Sequence, residues 1–246
     1  MVLHEMFRLA NDPLTPPDVL ADLASSEHEE VRASVAANPS SSQKTLLALV
    51  GDSSCHVIDN LMENKNKLSC DLKVSSCKNI VLTLAEVEDA EFILSLRHNG
   101  KLNRYVSQVS PDLDVQKEWL ISYKKREAMR AEFYFIIRDL NNNPLGTVRL
   151  YDFQSGSFCW GSWMVAPDSP RKTAIESALS VYEFAFYTLG FKRSHFDVRN
   201  NNQKVIDFHK RMGAEETHSN ELDTFFIYKK ETYKNTRDKY LSFLNS

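Results

Sequence analysis

The sequence predicts two kinds of fold in succession: an all-α repeat over residues 1–66, then an α/β (α+β) unit with a mixed central sheet over residues 79–230. Three observations carry this. Apolar positions recur every 26 residues in the first stretch. Strand-like alternation appears only after residue 79. Residues 158–214 then read strand, turn, helix, strand, helix. A chain of 246 residues is long enough for one medium domain and a small one. With 42% hydrophobic and 26% charged residues, disorder is not the default.

Net charge is −3 but unevenly spread. Residues 1–72 hold 5 Lys/Arg against 11 Asp/Glu, and the remainder holds 25 against 22. Such a split suggests two units with different partners. Neither part is basic enough for nucleic acid. No apolar run spans a bilayer, and MVLHEMFRLANDP lacks the basic-then-apolar pattern of a secretory signal. Cys55, Cys70, Cys77 and Cys159 form no C-x-x-C pair and no Cys/His zinc spacing. The expectation is a cytoplasmic protein with reduced thiols and no metal.

In the repeat, Asp12-Pro13 recurs as Asn38-Pro39, and Asn64-Lys65 falls at the third position. At the same offset Leu20 matches Leu46, Leu23 matches Leu49, Val31 matches Val57 and Val35 matches Leu61. Each unit holds two short apolar-periodic segments. Proline ends one, and Asp18 or a nearby Ser/Thr can cap the next. Helical pairs of this kind stack, because one alone cannot bury its apolar face. A partner-binding surface and a structural cap fit the pattern equally well. Residues 67–78 are polar without a helical stripe and read as a linker.

The second unit opens with a strand at 80–84 and a helix at 88–97, where Ala90, Ile93, Leu94 and Leu96 share a helical spacing. A helix at 115–130 carries Trp119, Leu120 and Tyr123 on one side. Strands at 132–138 and 145–151 flank the turn Asn141-Asn142-Asn143-Pro144. The apolar strand 158–166 runs into Pro167-Asp168-Ser169-Pro170 and a helix at 171–189. A strand at 192–199 meets Asn200-Asn201-Asn202 and a helix at 202–212, ending at Met212-Gly213-Ala214. A closing strand at 224–230 and a charged tail at 231–246, read as helical, complete the chain. Along 192–199, His195, Asp197 and Arg199 alternate against Phe196 and Val198. If the polar face meets a cleft, Asp197 or His195 can accept a proton; the same pattern fits a solvated strand face.

The first 65 residues resemble the leucine-rich repeat variant. The order of elements after residue 79 resembles the GNAT fold. Its motif residues are the strand–turn–helix at 158–175 and Asn202-x-x-Val205-Ile206-x-Phe208-His209-x-x-Met212-Gly213-Ala214. The resemblance implies acetyl-CoA as donor, held by the strand Trp163, Met164, Val165 and Ala166, by the helix start Arg171, Lys172, Thr173, Ala174 and Ile175, and by Asn202. First-turn N–H groups and the helix dipole suit a pyrophosphate there. Family members usually carry a Gly-rich turn, whereas no Gly lies between Ser162 and Gly190. His209 stands where many members place a proton-donating Tyr, and imidazole offers a pKa nearer neutrality. Strand 158–165 carries no carboxylate base.

Acceptor contacts implied by the resemblance come from Arg97, His98, Asn99, Tyr105, Trp160, His195 and Arg199, with core packing the commoner fate of Trp. The implied function is acetyl-CoA-dependent acetylation of a primary amine on a small molecule, with a nucleotide-linked amino sugar as one candidate. Acetylation of a protein N-terminus and a non-catalytic adaptor remain open. Expected partners are the amine substrate and a protein at the helical repeat; the sequence is compatible with a homodimer. Neither nucleic acid nor membrane is expected.

Overall fold

The computed structural model describes residues 2–49, 52–64, 73–74 and 77–244. Of the expected linker, residues 67–72, 75 and 76 lie outside these, as do Lys65 and residue 66 of the expected repeat. Five helices come first: α1 (Leu3–Asn11), α2 (Pro17–Leu23), α3 (Glu29–Ala37), α4 (Gln43–Ala48) and α5 (Cys55–Glu63). Every apolar pair matched at the 26-residue offset is buried.

The Asn-Pro step has a physical function visible only in three dimensions. Asn38 Nδ2 donates to the carbonyls of Ala10 (2.8 Å) and Asp12 (2.9 Å). One repeat later, Asn64 Nδ2 donates to Ala36 (2.8 Å) and Asn38 (2.9 Å). Each asparagine therefore satisfies helix-end carbonyls of the preceding unit, groups that a helix leaves without partners. Thr15 and Ser41, also 26 apart, hydrogen-bond Leu9 and Val35 carbonyls in the same way.

The later elements are β1 (Lys73–Val74), β2 (Ile80–Leu84), α6 (Ala90–Arg97), α7 (Leu113–Ala128), β3 (Phe133–Asp139), β4 (Pro144–Gln154), β5 (Ser157–Val165), α8 (Thr173–Glu183), β6 (Arg193–Arg199), α9 (Gln203–Met212), β7 (Glu215–Ser219), β8 (Asp223–Lys229) and α10 (Lys230–Lys239). The strands form one mixed sheet in the order β1-β2-β3-β4-β5-β6-β8-β7. Strand β7 was not expected from the sequence. Its residues EETHS are all exposed at the sheet edge, so no buried face imposes apolar alternation.

Helix α8 starts at Thr173 rather than Arg171, and a π-helical turn at Phe184–Thr188 extends it. Helix α9 ends at Gly213, whose φ of 95° is the left-handed cap expected from its position. Asn202 occupies the N-cap position of α9, but its side chain makes no capping hydrogen bond.

Two irregularities shape the centre of the sheet. Strands β5 and β6 run parallel and pair only at Ser157–Arg193 and Phe158–Ser194; beyond these they separate. Between β4 and β5, Thr147 opposes Met164 while Arg149 opposes Gly161, so β5 carries one extra residue at a bulge. Ser162 lies in that bulge with φ 47°, a left-handed value for a non-glycine residue. Its carbonyl accepts from Thr147 Oγ1 at 2.9 Å. Gly146 faces the same stretch, and a Cβ there would stand 2.3 Å from the Met164 carbonyl oxygen. Close approach of the two backbones thus requires glycine.

Candidate active site

The gap between β5 and β6 opens a cavity of about 190 Å³. Its walls include Trp160, Gly161, Ser162 and Trp163 from β5, Phe196–Arg199 from β6, and Asn202 and His209 beside them. A second cavity of about 320 Å³ lies on the other side of β5, between α6, α7 and the sheet. Arg97, Gln116, Trp119, Tyr134, Arg149 and Ser162 are among its lining residues. Ser162 is the residue common to both linings. The bulge therefore sits where molecules in the two cavities would meet.

Beyond the gap, β5 leads to the start of α8. Ala166 N–H donates to Leu145 O at 2.7 Å, so strand alternation turns the Val165 N–H toward the open side. In the turn, Ser169 N–H bonds Ala166 O and Thr173 N–H bonds Pro170 O. The amides of Arg171, Lys172, Ala174 and Ile175 have no backbone acceptor among the described residues. Such a cluster at a helix start suits a phosphate oxygen. None of residues 166–172 has a positive φ, so the turn forms without glycine. Thr173 itself contributes neither group: its amide is engaged, and its side chain is buried. Met164 is likewise buried, and it pairs with Thr147.

His209 lies in the first cavity but not in the electrostatic state expected of it. Its ring is 4% exposed and packed among Phe196 (centroids 4.3 Å), Phe208 (5.3 Å), Trp160 (5.5 Å) and Phe226 (6.2 Å). Desolvation pushes its pKa down to about 3, and Nδ1 is buried without a hydrogen-bond partner. The near-neutral imidazolium acid is thereby corrected to a neutral imidazole. Tyr182, whose hydroxyl is the other proton donor near Trp160, is sealed in the core against that ring.

Asp197 lies on the exposed face of β6 and lines the cavity. Burial, then the nearby Asp223 carboxylate, raises its pKa. Arg199 also lines the cavity and bonds Asp223 at 3.0 Å. His195 is a correction: it is held at the closed end of the gap. Its Nδ1 meets Ser157 Oγ at 2.6 Å and its Nε2 meets Asp152 Oδ2 at 2.9 Å, and it lines neither cavity. Trp160 is mostly core; it is buried, and its Nε1 donates to Tyr182 at 3.2 Å.

Of the residues expected to meet the acceptor, Arg97 lines the second cavity, whereas His98 and Asn99 line neither. His98 faces Ser110 O, and Asn99 Oδ1 accepts from Lys101 N–H within its own loop. Tyr105 lines the first cavity and donates to Asn201 O at 3.2 Å. Sequence reading missed Ser162 and Arg149. An arginine inside the apolar run LGTVRLY was the available signal for Arg149. The Ser162 bulge has no signature in residue type.

A splayed parallel strand pair, a bulge at its edge and an amide-rich helix start define an acyl-CoA-dependent transferase of mixed α/β fold. The family description "Acetyltransferase (GNAT) domain" matches residues 79–215, and the chain belongs to the GNAT acetyltransferases. The Leucine Rich Repeat Variant domain matches residues 4–51. Among solved structures, apo FdhC, a nucleotide-linked sugar GNAT, is 43% identical, covering 71% of this chain and 99% of its own at a TM-score of 0.66. Spermidine N-acetyltransferase from Vibrio cholerae in complex with CoA and spermine shares the fold at 20% identity (63% and 98% covered, TM-score 0.55). So does a putative ribosomal-protein-serine acetyltransferase from Vibrio cholerae at 14% (66% and 99%, TM-score 0.54). No curated protein matches the chain. The protein is an N-acetyltransferase that uses acetyl-CoA. No helix among the described residues is long and apolar enough to cross a membrane.

Proposed function

We propose that this chain acetylates a primary amine on a nucleotide-linked amino sugar. The observation carrying the reading is the junction at Ser162, where the gap between β5 and β6 meets a second cavity lined by aromatic and hydrogen-bonding side chains. Trp119 adds apolar surface to the lining, and Gln116 and Tyr134 offer polar groups for hydroxyls. Identity of 43% to a nucleotide-linked sugar GNAT supports the same class.

Acetyl-CoA supplies an activated acyl group. In this reading the amides of Arg171, Lys172, Ala174 and Ile175 hold its pyrophosphate, and the open edge of β5 at Val165 aligns the thioester arm. Asn202 borders the same arm. Amides at the bulge are preorganised to stabilise negative charge on an acyl oxygen. Asp197, with its raised pKa, accepts the amine proton through water. His209 serves as a neutral hydrogen-bond donor near the departing thiolate. Binding both reactants against one strand contributes much of the rate.

The test is CoA release by the full chain with amino sugars, nucleotide-linked amino sugars, spermidine and peptide amines. Turnover with nucleotide-linked amino sugars above the others is expected. Preference for peptide amines would replace this reading with N-terminal protein acetylation.

A further inference from the structure

Arg97, at the last turn of α6, is half-buried in the second cavity. Its guanidinium makes one hydrogen bond among the described residues, from Nη2 to Ser107 Oγ at 3.0 Å. Among the described residues no carboxylate pairs with it. Burial lowers its pKa; the Tyr134 hydroxyl opposes this, and the nearby Arg149 adds a smaller lowering. A partly desolvated guanidinium with unfilled donors is an unbalanced feature, because removing a cation from water costs free energy that an anion must offset.

Arg149 adds to the imbalance. Its guanidinium lies against the rings of Trp119 (5.4 Å) and Tyr151 (5.0 Å) and pairs with Glu132. That carboxylate is shared with Arg126 at 2.8 Å, so two guanidiniums divide one negative charge. Arg149 Nε is buried and has no hydrogen-bond partner among the described residues. The lining of the cavity includes Arg97 and Arg149 but no Asp or Glu. A polyamine would meet like charge here. An acceptor carrying phosphate would find two planar donors of the geometry that grips phosphate oxygens in pairs.

We propose that Arg97 selects the acceptor by binding a phosphate oxygen of the sugar-linked diphosphate, with Arg149 as the second cation. This rests on the reading of the second cavity as the acceptor site. Arg97 thereby sets which amines enter, while the acyl transfer itself is left to the β5 edge.

The experiment uses the full chain and four acceptors: glucosamine, glucosamine 1-phosphate, UDP-glucosamine and spermidine. Wild type should favour the phosphorylated acceptors. Arg97→Gln should raise their KM about ten- to a hundredfold, the range for a hydrogen bond to a charged group. KM for glucosamine and for acetyl-CoA should stay within about twofold, as should kcat. Arg97→Lys should recover part of the loss, because charge returns without the planar fork. Ser107→Ala separates a structural role: it removes the one observed partner of Arg97 yet should leave the preference for phosphate intact.

A second measurement does not depend on turnover. Pyrophosphate is titrated into protein saturated with CoA, so that the helix-start amides are already filled. Wild type should bind it, and Arg97→Gln should not. Binding without turnover on any acceptor would defeat the proposed function and leave the anion site standing. Absent pyrophosphate binding, equal loss on neutral and charged acceptors in Arg97→Gln, or wild-type preference for spermidine, would each overturn the proposal.

Discussion

The two cavities that meet at Ser162 treat charge in opposite ways. On the β5–β6 side, aromatic rings surround His209 and strip it of its proton, while the groups free to bind an anion are backbone amides at the start of α8. On the α6–α7 side, the recognition groups are side chains, with Arg97 and Arg149 facing a lining without carboxylates. In the proposed reading, donor binding depends on backbone shape, which many sequences can adopt, including one without glycine in its turn. In the same reading, acceptor choice depends on particular side chains, which one substitution can alter.

The strongest way to break the donor half is through the backbone. Gly146→Val places a side chain against the Met164 carbonyl, and that backbone cannot yield without moving β5. Overpacking of this kind should cost about 3 kcal/mol and abolish most CoA binding. Urea denaturation and calorimetry with CoA measure the two losses. Intact CoA affinity in the folded variant would show that the bulge geometry is dispensable.

Asp197→Asn tests the proton acceptor on β6. Turnover should fall about a hundredfold, within the usual range for acid–base catalysis, with CoA affinity unchanged. The acid limb of the wild-type pH–rate profile should lie above an ordinary carboxylate pKa, as the raised Asp197 requires, and should vanish in the variant. An unchanged limb would return Asp197 to the role of a solvated strand residue.

His209→Phe sharpens the comparison because the ring is neutral. Loss of one neutral donor should lower kcat about tenfold, less than loss of a true acid. Stability gives an independent reading. The folded pKa is about 3 against a reference of 6.5, so the unfolded chain takes up a proton first as pH falls. This contribution is full above about pH 6.5 and is lost progressively toward pH 3. Between pH 7 and 5 wild type should lose about 2 kcal/mol from this group, and His209→Phe should not. Urea midpoints at the two pH values decide. The smallest effect belongs to Ser162→Gly, which keeps the bulge amide and relieves a left-handed φ. Turnover should stay within about threefold; a larger fall would place the Ser162 hydroxyl in the chemistry.

How much of this was legible in the sequence differs between elements. The 26-residue repeat was plain, because stacked helices repeat their buried positions, and the buried pairs from Leu20–Leu46 to Val35–Leu61 follow it. Strand β2 and the Gly213 cap were likewise readable from local pattern. Strand β7 was not, since an exposed edge strand has no apolar period to show. His195 was misplaced because alternation assigns a face of a strand but not a position along the gap; its partners Ser157 and Asp152 are about 40 residues away in sequence.

Sequence alone determined the helical repeat, most of the order of elements and the GNAT resemblance, because these follow from local periodicity and from short spacings along the chain. Tertiary structure alone decided the charge state of His209, the junction at Ser162 and the pairing of Arg97 with Arg149 in one cavity. A pKa depends on which groups from distant segments exclude water around it, and a bulge depends on the register between two strands. Neither quantity is carried by the residues of one segment read in order.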